Sequence, residues 1–248
     1  VNAVYGATPE QYRRHLEKTL SCAPDIIVDD GGDLLEILHD SRPDLAKSVL
    51  AGCEETTTGV HRMRARAAAG ELAFPMIAVN DAKSKHLFDN RYGTGQSVWD
   101  AIMHTTNLMV TGKTVVVAGY GFCGRGIAKN AKGIGANVIV TEVDPHAALE
   151  ALLDGHRVMP MRDAAPLGDI FITATGCKDV ITGEHFPLMK DNAILCNAGH
   201  FDVEVSVRAL KQLAVKVFER KPNITGFTLS NGRTLNVLGE GRLVNLAA

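Results

Sequence analysis

Thr114-Val115-Val116-Val117-Ala118-Gly119-Tyr120-Gly121-Phe122-Cys123-Gly124 decides the fold. Its first five residues are a short apolar run of the kind that forms a buried strand, and Ile127 to Ile134 reads as a helix. Between them the glycines follow the spacing G-x-G-x-x-G. The first permits a tight turn, the second lets backbone approach a pyrophosphate, and the third lets helix and strand pack closely. A pyrophosphate would then meet the helix N-terminus. The following strand, Asn137 to Thr141, leads into Glu142, at the interval where a carboxylate accepts hydrogen bonds from the adenosine ribose. The same carboxylate would repel a 2′-phosphate, so NAD is favoured over NADP. The unit from Lys113 to Glu142 thus predicts a Rossmann-type dinucleotide site, with Asp144 a close substitute for Glu142.

Working outward, apolar strands recur at Ile170 to Ala174 and Ala193 to Cys196 with helical stretches between them. That rhythm predicts a parallel, doubly wound sheet. Toward the end, Phe227 to Ser230 and Thr234 to Leu238 flank Asn231-Gly232, which predicts a tight hairpin and a small antiparallel edge. Upstream, Gln96 to Met109 reads as a long amphipathic helix with Val98, Ile102, Leu108 and Met109 among its apolar positions. The first region alternates similarly. A buried strand at Asp25 to Val28 runs into Asp29-Asp30-Gly31-Gly32-Asp33 and a helix through Leu34, Leu35, Ile37 and Leu38. A helix around Val60 to Ala69 and a strand at Met76 to Val79 follow.

Composition sets the bounds. The 248 residues are 46% hydrophobic and 5% aromatic, which suits one large or two smaller α/β domains and excludes disorder or a fibrous repeat. Lysine plus arginine total 26 against 28 acidic residues, so no net field draws the chain to nucleic acid or an anionic membrane. A small, discrete ligand is expected. The five cysteines, Cys22, Cys53, Cys123, Cys177 and Cys196, show no CxxC pairing, which suggests neither a disulfide framework nor a zinc site and fits a reducing cytoplasm. No metal site is expected. There is no span-length apolar run and no signal pattern at Val1.

Several polar clusters stand at strand ends or in loops: Asp29-Asp30, Glu54-Glu55-Thr56-Thr57-Thr58-Gly59, and Lys85 with Asp89-Asn90. Each has a bland explanation when taken singly. An aspartate can cap a helix, threonines can form its first turn, and a lysine can be solvated.

Together, however, Asp-Asp-Gly-Gly-Asp, Glu-Glu-Thr-Thr-Thr-Gly-Val, Val-Asn-Asp, Phe-Asp-Asn-x-Tyr-Gly, Val-Ala-Gly-Tyr-Gly, Thr-Glu-x-Asp-Pro, Gly-His-Phe-Asp-Val-Glu and Glu-Gly-Arg-Leu-Val-Asn-Leu resemble S-adenosylhomocysteine hydrolases nearly end to end. The resemblance implies a hydrolase that splits S-adenosylhomocysteine reversibly into adenosine and homocysteine. NAD serves such enzymes as a recycled oxidant of the ribose 3′-hydroxyl, which acidifies the C4′ proton so that homocysteine can leave C5′ and water can add. By the same resemblance Asp30 and Glu55 match substrate and acid/base carboxylates, and Lys85 and Asp89 the pair around the ribose hydroxyls. His200 matches a histidine near the 5′ position. Thr56, Thr57, Thr58 and Asn90 match cofactor contacts, as do Gly119, Gly121, Phe122, Cys123, Gly124, Arg125 and Gly126 of the turn, Glu142, Ala198, Gly199 and His200. Asn245 matches a contact to the nicotinamide carboxamide.

The turn filled as Gly121-Phe122-Cys123-Gly124-Arg125-Gly126 is similar to the archaeal and thermophilic bacterial branch. Thr94 stands where many members carry cysteine, and Ala147 replaces an asparagine that often contacts the cofactor. The implied organisation is a substrate-binding domain over 1–80 and a hinge and active-site segment over 81–95. A Rossmann domain over 96–245 and the start of a return to the substrate domain over 246–248 complete it. Val1 in place of an initiator Met, and family parts that would precede it or follow Ala248, lead us to expect a partial chain. A homotetramer is implied as well. Two rivals remain at this level: a hydrolase-like regulatory protein that binds NAD without turnover, and an NAD-dependent 2-hydroxyacid dehydrogenase. The intact set Asp30, Glu55, Lys85 and Asp89 disfavours the first. Net oxidation of a hydroxy acid would distinguish the second.

Overall fold

The structure is a computed structural model describing residues 2–4 and 6–246. The chain divides into two compact units, Val1–Lys85 and His86–Ala248. Of the expected return segment over 246–248, Ala247 and Ala248 lie outside the described residues.

The first unit runs α1 (Pro9–Leu20), β1 (Ile26–Asp29), α2 (Asp33–Glu36), α3 (Pro43–Ala46), β2 (Ala51–Glu54), α4 (Thr57–Ala69), β3 (Met76–Ala78) and α5 (Lys83–Lys85). Thr8 and Gln11 close a reciprocal capping box on α1, satisfying two donors that a helix start leaves open. The three strands pair in parallel in the order β1-β2-β3. Their core gathers Ile27 with Leu20, Leu35, Leu38, Val60, Met63 and Phe74. Contrary to the sequence expectation, β1 is buried on one face only. Ile26 and Val28 point outward at 61% and 75% exposure, because α1, α2 and α4 all contribute to the face that holds Ile27. After α2 the backbone widens into a π turn, Ile37–Ser41, and Pro43 then opens α3, its ring unable to continue the preceding hydrogen-bond ladder.

The second unit opens with a longer π segment, His86–Gly93, then α6 (Thr94–Thr106), β4 (Thr114–Ala118), α7 (Phe122–Gly133), β5 (Asn137–Thr141), α8 (Pro145–Leu153), β6 (Arg157–Val158), α9 (Met161–Ala164), β7 (Ile170–Thr173) and β8 (Ile194–Asn197). It closes with α10 (Val207–Leu213), β9 (Ala214–Lys221), β10 (Ile224–Leu229) and β11 (Thr234–Leu238). The sheet order is β6-β5-β4-β7-β8-β11-β10-β9, parallel from β6 through β11. Its parallel part is the doubly wound Rossmann order, with the chain reversing direction of growth between β4 and β7. Alternate residues of the central strands feed two cores. Val115, Val117 and Ile172 pack with α6 and α7 on one face, while Val116, Ile139 and Phe171 pack with Phe186, Leu195 and Leu210 on the other. Such double coverage explains why these strands read as unbroken apolar runs.

Two sequence expectations change here. The helix predicted to reach Met109 stops at Thr106, because Asn107 adopts a left-handed φ of +54° and returns its N–H to the Met103 carbonyl. Leu108 and Met109 therefore lie beyond the helix, exposed. The hairpin forms, but only Gly232 takes a positive φ; Asn231 instead accepts the Arg233 N–H through its side chain. The antiparallel portion is also larger than expected. β9, rich in charged residues, adds a further edge strand to β10.

Candidate active site

At the reversal point, β4 ends and Gly119 turns the chain with a φ of +94°. A Cβ there would lie 2.7 Å from the Ala174 carbonyl oxygen at the end of β7, so side-chain-free backbone is needed where the two loops abut. A Cβ on Gly124 would run into the Gly119 carbonyl, and one on Gly126 into the Arg91 carbonyl. Around Gly121, by contrast, a Cβ would meet nothing within 4 Å. The glycines thus divide their work between tight packing below and open approach above. Gly121 is also the N-cap of α7 and offers no side-chain acceptor to that helix start, the end of a helix that favours an anion. Phe122 and Cys123 occupy that first turn. The Phe122 ring rests 4.6 Å from that of His86, and Arg125 pairs with Glu150 at 2.5 Å while donating to the Tyr120 carbonyl.

Glu142 follows β5. Its Oε2 accepts the Tyr120 N–H at 2.7 Å, and its Oε1 those of Val143 at 2.6 Å and Asp144 at 3.0 Å. A carboxylate has about four lone-pair sites, so one further donor such as a ribose hydroxyl can still be accommodated. Asp144 is committed elsewhere, capping α8 through the amides of His146 and Ala147. Backbone contact is therefore what the chain draws from Ala147 at this helix start.

Beside the turn, the carboxyl ends of β7 and β8 hold a buried polar group. Asn197 accepts from Thr173 Oγ1 at 3.0 Å and from the Gly199 N–H at 2.8 Å, and donates to the carbonyls of Gly199 and Phe201. Ala198 donates its N–H to the Thr173 carbonyl. His200 lies between these pinned residues, its ring edge-on to Phe201 at 4.7 Å. The last described segment returns to the same edge, where Leu243 bridges Asn197 in parallel two residues before Asn245. Asn245 Oδ1 is buried without a hydrogen-bond partner among the described residues. A primary amide such as the nicotinamide carboxamide could supply the missing donor. The open turn, the helix start without a side-chain cap, a carboxylate with room for one more donor and the orphaned acceptor together fit NAD.

Asp89 and Asn90 sit in the π segment, a helix form that recurs at functional sites. Asn90 is buried, and a Cβ on Gly93 would lie 2.9 Å from Asp89 Oδ1.

In the first unit, parallel strands bring acidic residues to one edge. Asp29 and Glu54 are register partners at the ends of β1 and β2. Asp29 accepts the N–H groups of Asp30, Leu34 and Leu35, so it is the helix-capping aspartate. Glu54 Oε1 accepts from the amides of Gly31 at 3.0 Å and Thr56 at 2.8 Å, tying the loop of Asp30 to that of Glu55. Burial pushes both carboxyls above their ordinary range, against the opposing pull of those amides. Thr56 is the N-cap of α4, and Thr57 and Thr58 form its first turn. Lys85 Nζ stands 3.3 Å from Glu55 Oε1 and 3.2 Å from Asn80 Oδ1, and Asn80 also donates to Thr57 Oγ1 at 3.0 Å. Lys85, Glu55 and Thr57 are thereby joined through Asn80. Sequence reasoning assigned no role to Asn80, Glu54, Asn197 or Glu204. The first, second and last lie in quoted motifs, and a polar residue ending an apolar strand was the available signal for Glu54 and Asn197.

Among the described residues no helix is long and apolar enough to cross a membrane. The family model described as S-adenosyl-L-homocysteine hydrolase, NAD binding domain, matches residues 90–248. The chain is 57% identical to the S-inosyl-L-homocysteine hydrolase of Methanosarcina acetivorans over 99% of its own length and 60% of that protein. It is 58% identical to the adenosylhomocysteinase of Thermotoga maritima over 96% of its length and 59% of that protein. It therefore spans about three fifths of the relatives it matches. Among solved structures, a putative D-isomer specific 2-hydroxyacid dehydrogenase from Polaromonas superposes with a TM-score of 0.56 at 14% identity, covering 81% of this chain and 67% of that one; this likeness is one of fold.

Proposed function

Because the chain belongs to the S-adenosyl-L-homocysteine hydrolase family, whose NAD-binding domain it carries, we propose that its protein reversibly hydrolyses S-adenosyl-L-homocysteine to adenosine and L-homocysteine. The observation that carries this reading is Lys85, whose ammonium is hydrogen-bonded to Asn80 and ion-paired with Glu55, a lysine held beside acid/base partners.

NAD, when bound, supplies the acceptor for the hydride of the ribose 3′-carbon. The glycine turn from Gly119 to Gly126, Glu142, Asn90, Thr56, Thr57, Thr58, Ala198, Gly199, His200 and Asn245 would hold it. Lys85, once its ammonium has passed a proton to the neighbouring Glu55 carboxylate and stands as the neutral amine, takes up the 3′-hydroxyl proton, with Asp89, and returns it at the end of the cycle. The resulting 3′-ketone makes C4′–H acidic. Asp30 and Glu55 orient the nucleoside and move the C4′ proton, so that the C5′–S bond breaks with the electrons of the C4′–H bond. His200 serves at C5′, where the thiolate is protonated as it leaves and water is deprotonated as it adds. The hydride and the 3′-proton would return to C3′ and O3′ at the end, so oxidation and re-reduction cancel, and elimination of homocysteine followed by addition of water leaves one water consumed in the net equation.

Residues 1–80 act as part of a substrate-binding domain, 81–95 as hinge and active-site segment, and 96–245 as the cofactor domain. The protein works as a cytoplasmic homotetramer. A second purine deserves a parallel assay, because a relative of nearly equal identity is named for the inosyl thioether. Full-length protein incubated with homocysteine and either adenosine or inosine should form the matching thioether. No product from either nucleoside, with NAD bound, overturns the proposal, and net release of NADH with a 2-hydroxy acid would favour dehydrogenase chemistry.

A further inference from the structure

Glu204 ends the Gly-His-Phe-Asp-Val-Glu motif and is 1% exposed, and the proposed reaction gives its side chain no step of its own. Its Oε2 accepts the Thr175 N–H at 2.9 Å and the Thr175 hydroxyl at 2.7 Å, and its Oε1 the Gly176 N–H at 2.8 Å. Its carbonyl accepts the amides of Val180 and Ile181. The carboxylate also fills the space a side chain on Gly199 would need. A buried carboxylate is costly unless its lone pairs are met, and here they are met by the loop that leaves β7. Asn197, fully buried, works from the other side. Its amide donates to the carbonyls of Gly199 at 3.0 Å and Phe201 at 2.8 Å, the two neighbours of His200.

We propose that Asn197 and Glu204 are positioning residues that fix His200, Asn197 by pinning the backbone on both sides of it and Glu204 by bracing Gly199 against the Thr175-Gly176 loop. The inference rests on the assignment of His200 to the chemistry at C5′. Holding the Gly199 and Phe201 carbonyls to one buried amide restricts the backbone that carries His200 and with it the placement of the ring, and displacement of a reacting group by about 1 Å costs roughly a hundredfold in rate.

The test uses full-length protein carrying Glu204→Gln, which preserves volume but turns a donor toward amides that need an acceptor. Asn197→Ser removes both amide donors and keeps the proposal testable should the first variant not fold. His200→Asn runs beside them. Two rates are read: exchange of the adenosine C4′ proton with solvent, which precedes any change at C5′, and hydrolysis of the thioether. The expected result is C4′ exchange and KM within about threefold of the parent, with kcat for hydrolysis down by about tenfold or more, in both positioning variants. Unchanged kcat in both, or a parallel fall of C4′ exchange and kcat, overturns the inference while His200→Asn remains impaired. A His200→Asn variant with normal kcat instead overturns the role of His200, and this inference with it.

Discussion

The Tyr120 N–H donates to Glu142 Oε2 at 2.7 Å, so the carboxylate that follows β5 is locked to the glycine turn that follows β4. One side chain thereby shapes the turn and faces the proposed ribose position. Glu142→Ala removes the acceptor of three backbone amides as well as a ligand contact. We expect NAD affinity to fall by about 10- to 100-fold and stability by about 1–3 kcal/mol. Titration calorimetry and denaturant unfolding read the two effects; unchanged affinity would place the ribose contact elsewhere.

The glycines of the turn should separate by role. Gly121→Ala adds a methyl to open space and should leave the unfolding midpoint nearly unchanged while weakening NAD, because it occupies the approach to the pyrophosphate. Gly124→Ala drives a methyl into the Gly119 carbonyl and should destabilise the second unit by about 1–3 kcal/mol. Equal thermal stability of the two variants would remove the distinction.

Lys85→Ala should retain NAD and lose the 3′-oxidation step. The expected loss is about 10²- to 10⁴-fold, the usual range for a positioned proton-transfer group. Rapid mixing with adenosine, followed at the NADH absorbance, checks it, and a normal trace refutes the assignment.

Glu54 carries a pH signature. Burial raises its carboxyl above the ordinary range, so the folded chain holds a proton that the unfolded chain has already released. That contribution to stability is complete below the unfolded-state value and is lost as pH rises through the folded-state one. Asp29, raised for the same reason, has the same sign. Glu54→Gln removes one of the two titrations. Urea unfolding at stepped pH from the acid range to neutrality should show a shallower fall in stability than the parent, and an equally steep fall would assign the slope to other groups.

Much of the second unit is legible in the sequence. Val115, Val116 and Val117 are buried on both sheet faces, so their pattern needed no phase to be read as a parallel strand. Gly119 to Gly124 announced the turn because few sequences satisfy that steric demand. Helix ends were less legible: Leu108 and Met109 continue an apolar rhythm that Asn107 interrupts through one backbone torsion. The outward side chains of β1 were hidden for a related reason, since four apolar residues in a row do not say how many faces are covered.

By itself, then, the sequence determined the strand, turn and helix that cradle a dinucleotide, and through its motifs the family, because local sterics and residue chemistry are written in adjacent positions. Only the tertiary structure decided how the site residues are held. Asn80 links Lys85 with Thr57, Glu54 ties the Asp30 loop to Thr56, and Glu204 reaches back 29 residues to Thr175. Those contacts depend on which strand ends lie side by side, and hydrogen-bond partners brought together by strand pairing leave no periodic trace in the chain. The lock between Tyr120 and Glu142 stands at the meeting of the two: its residues could be named from spacing, and the amides of Val143 and Asp144 are local to Glu142, but the Tyr120 amide reaches the carboxylate only because the ends of β4 and β5 are paired.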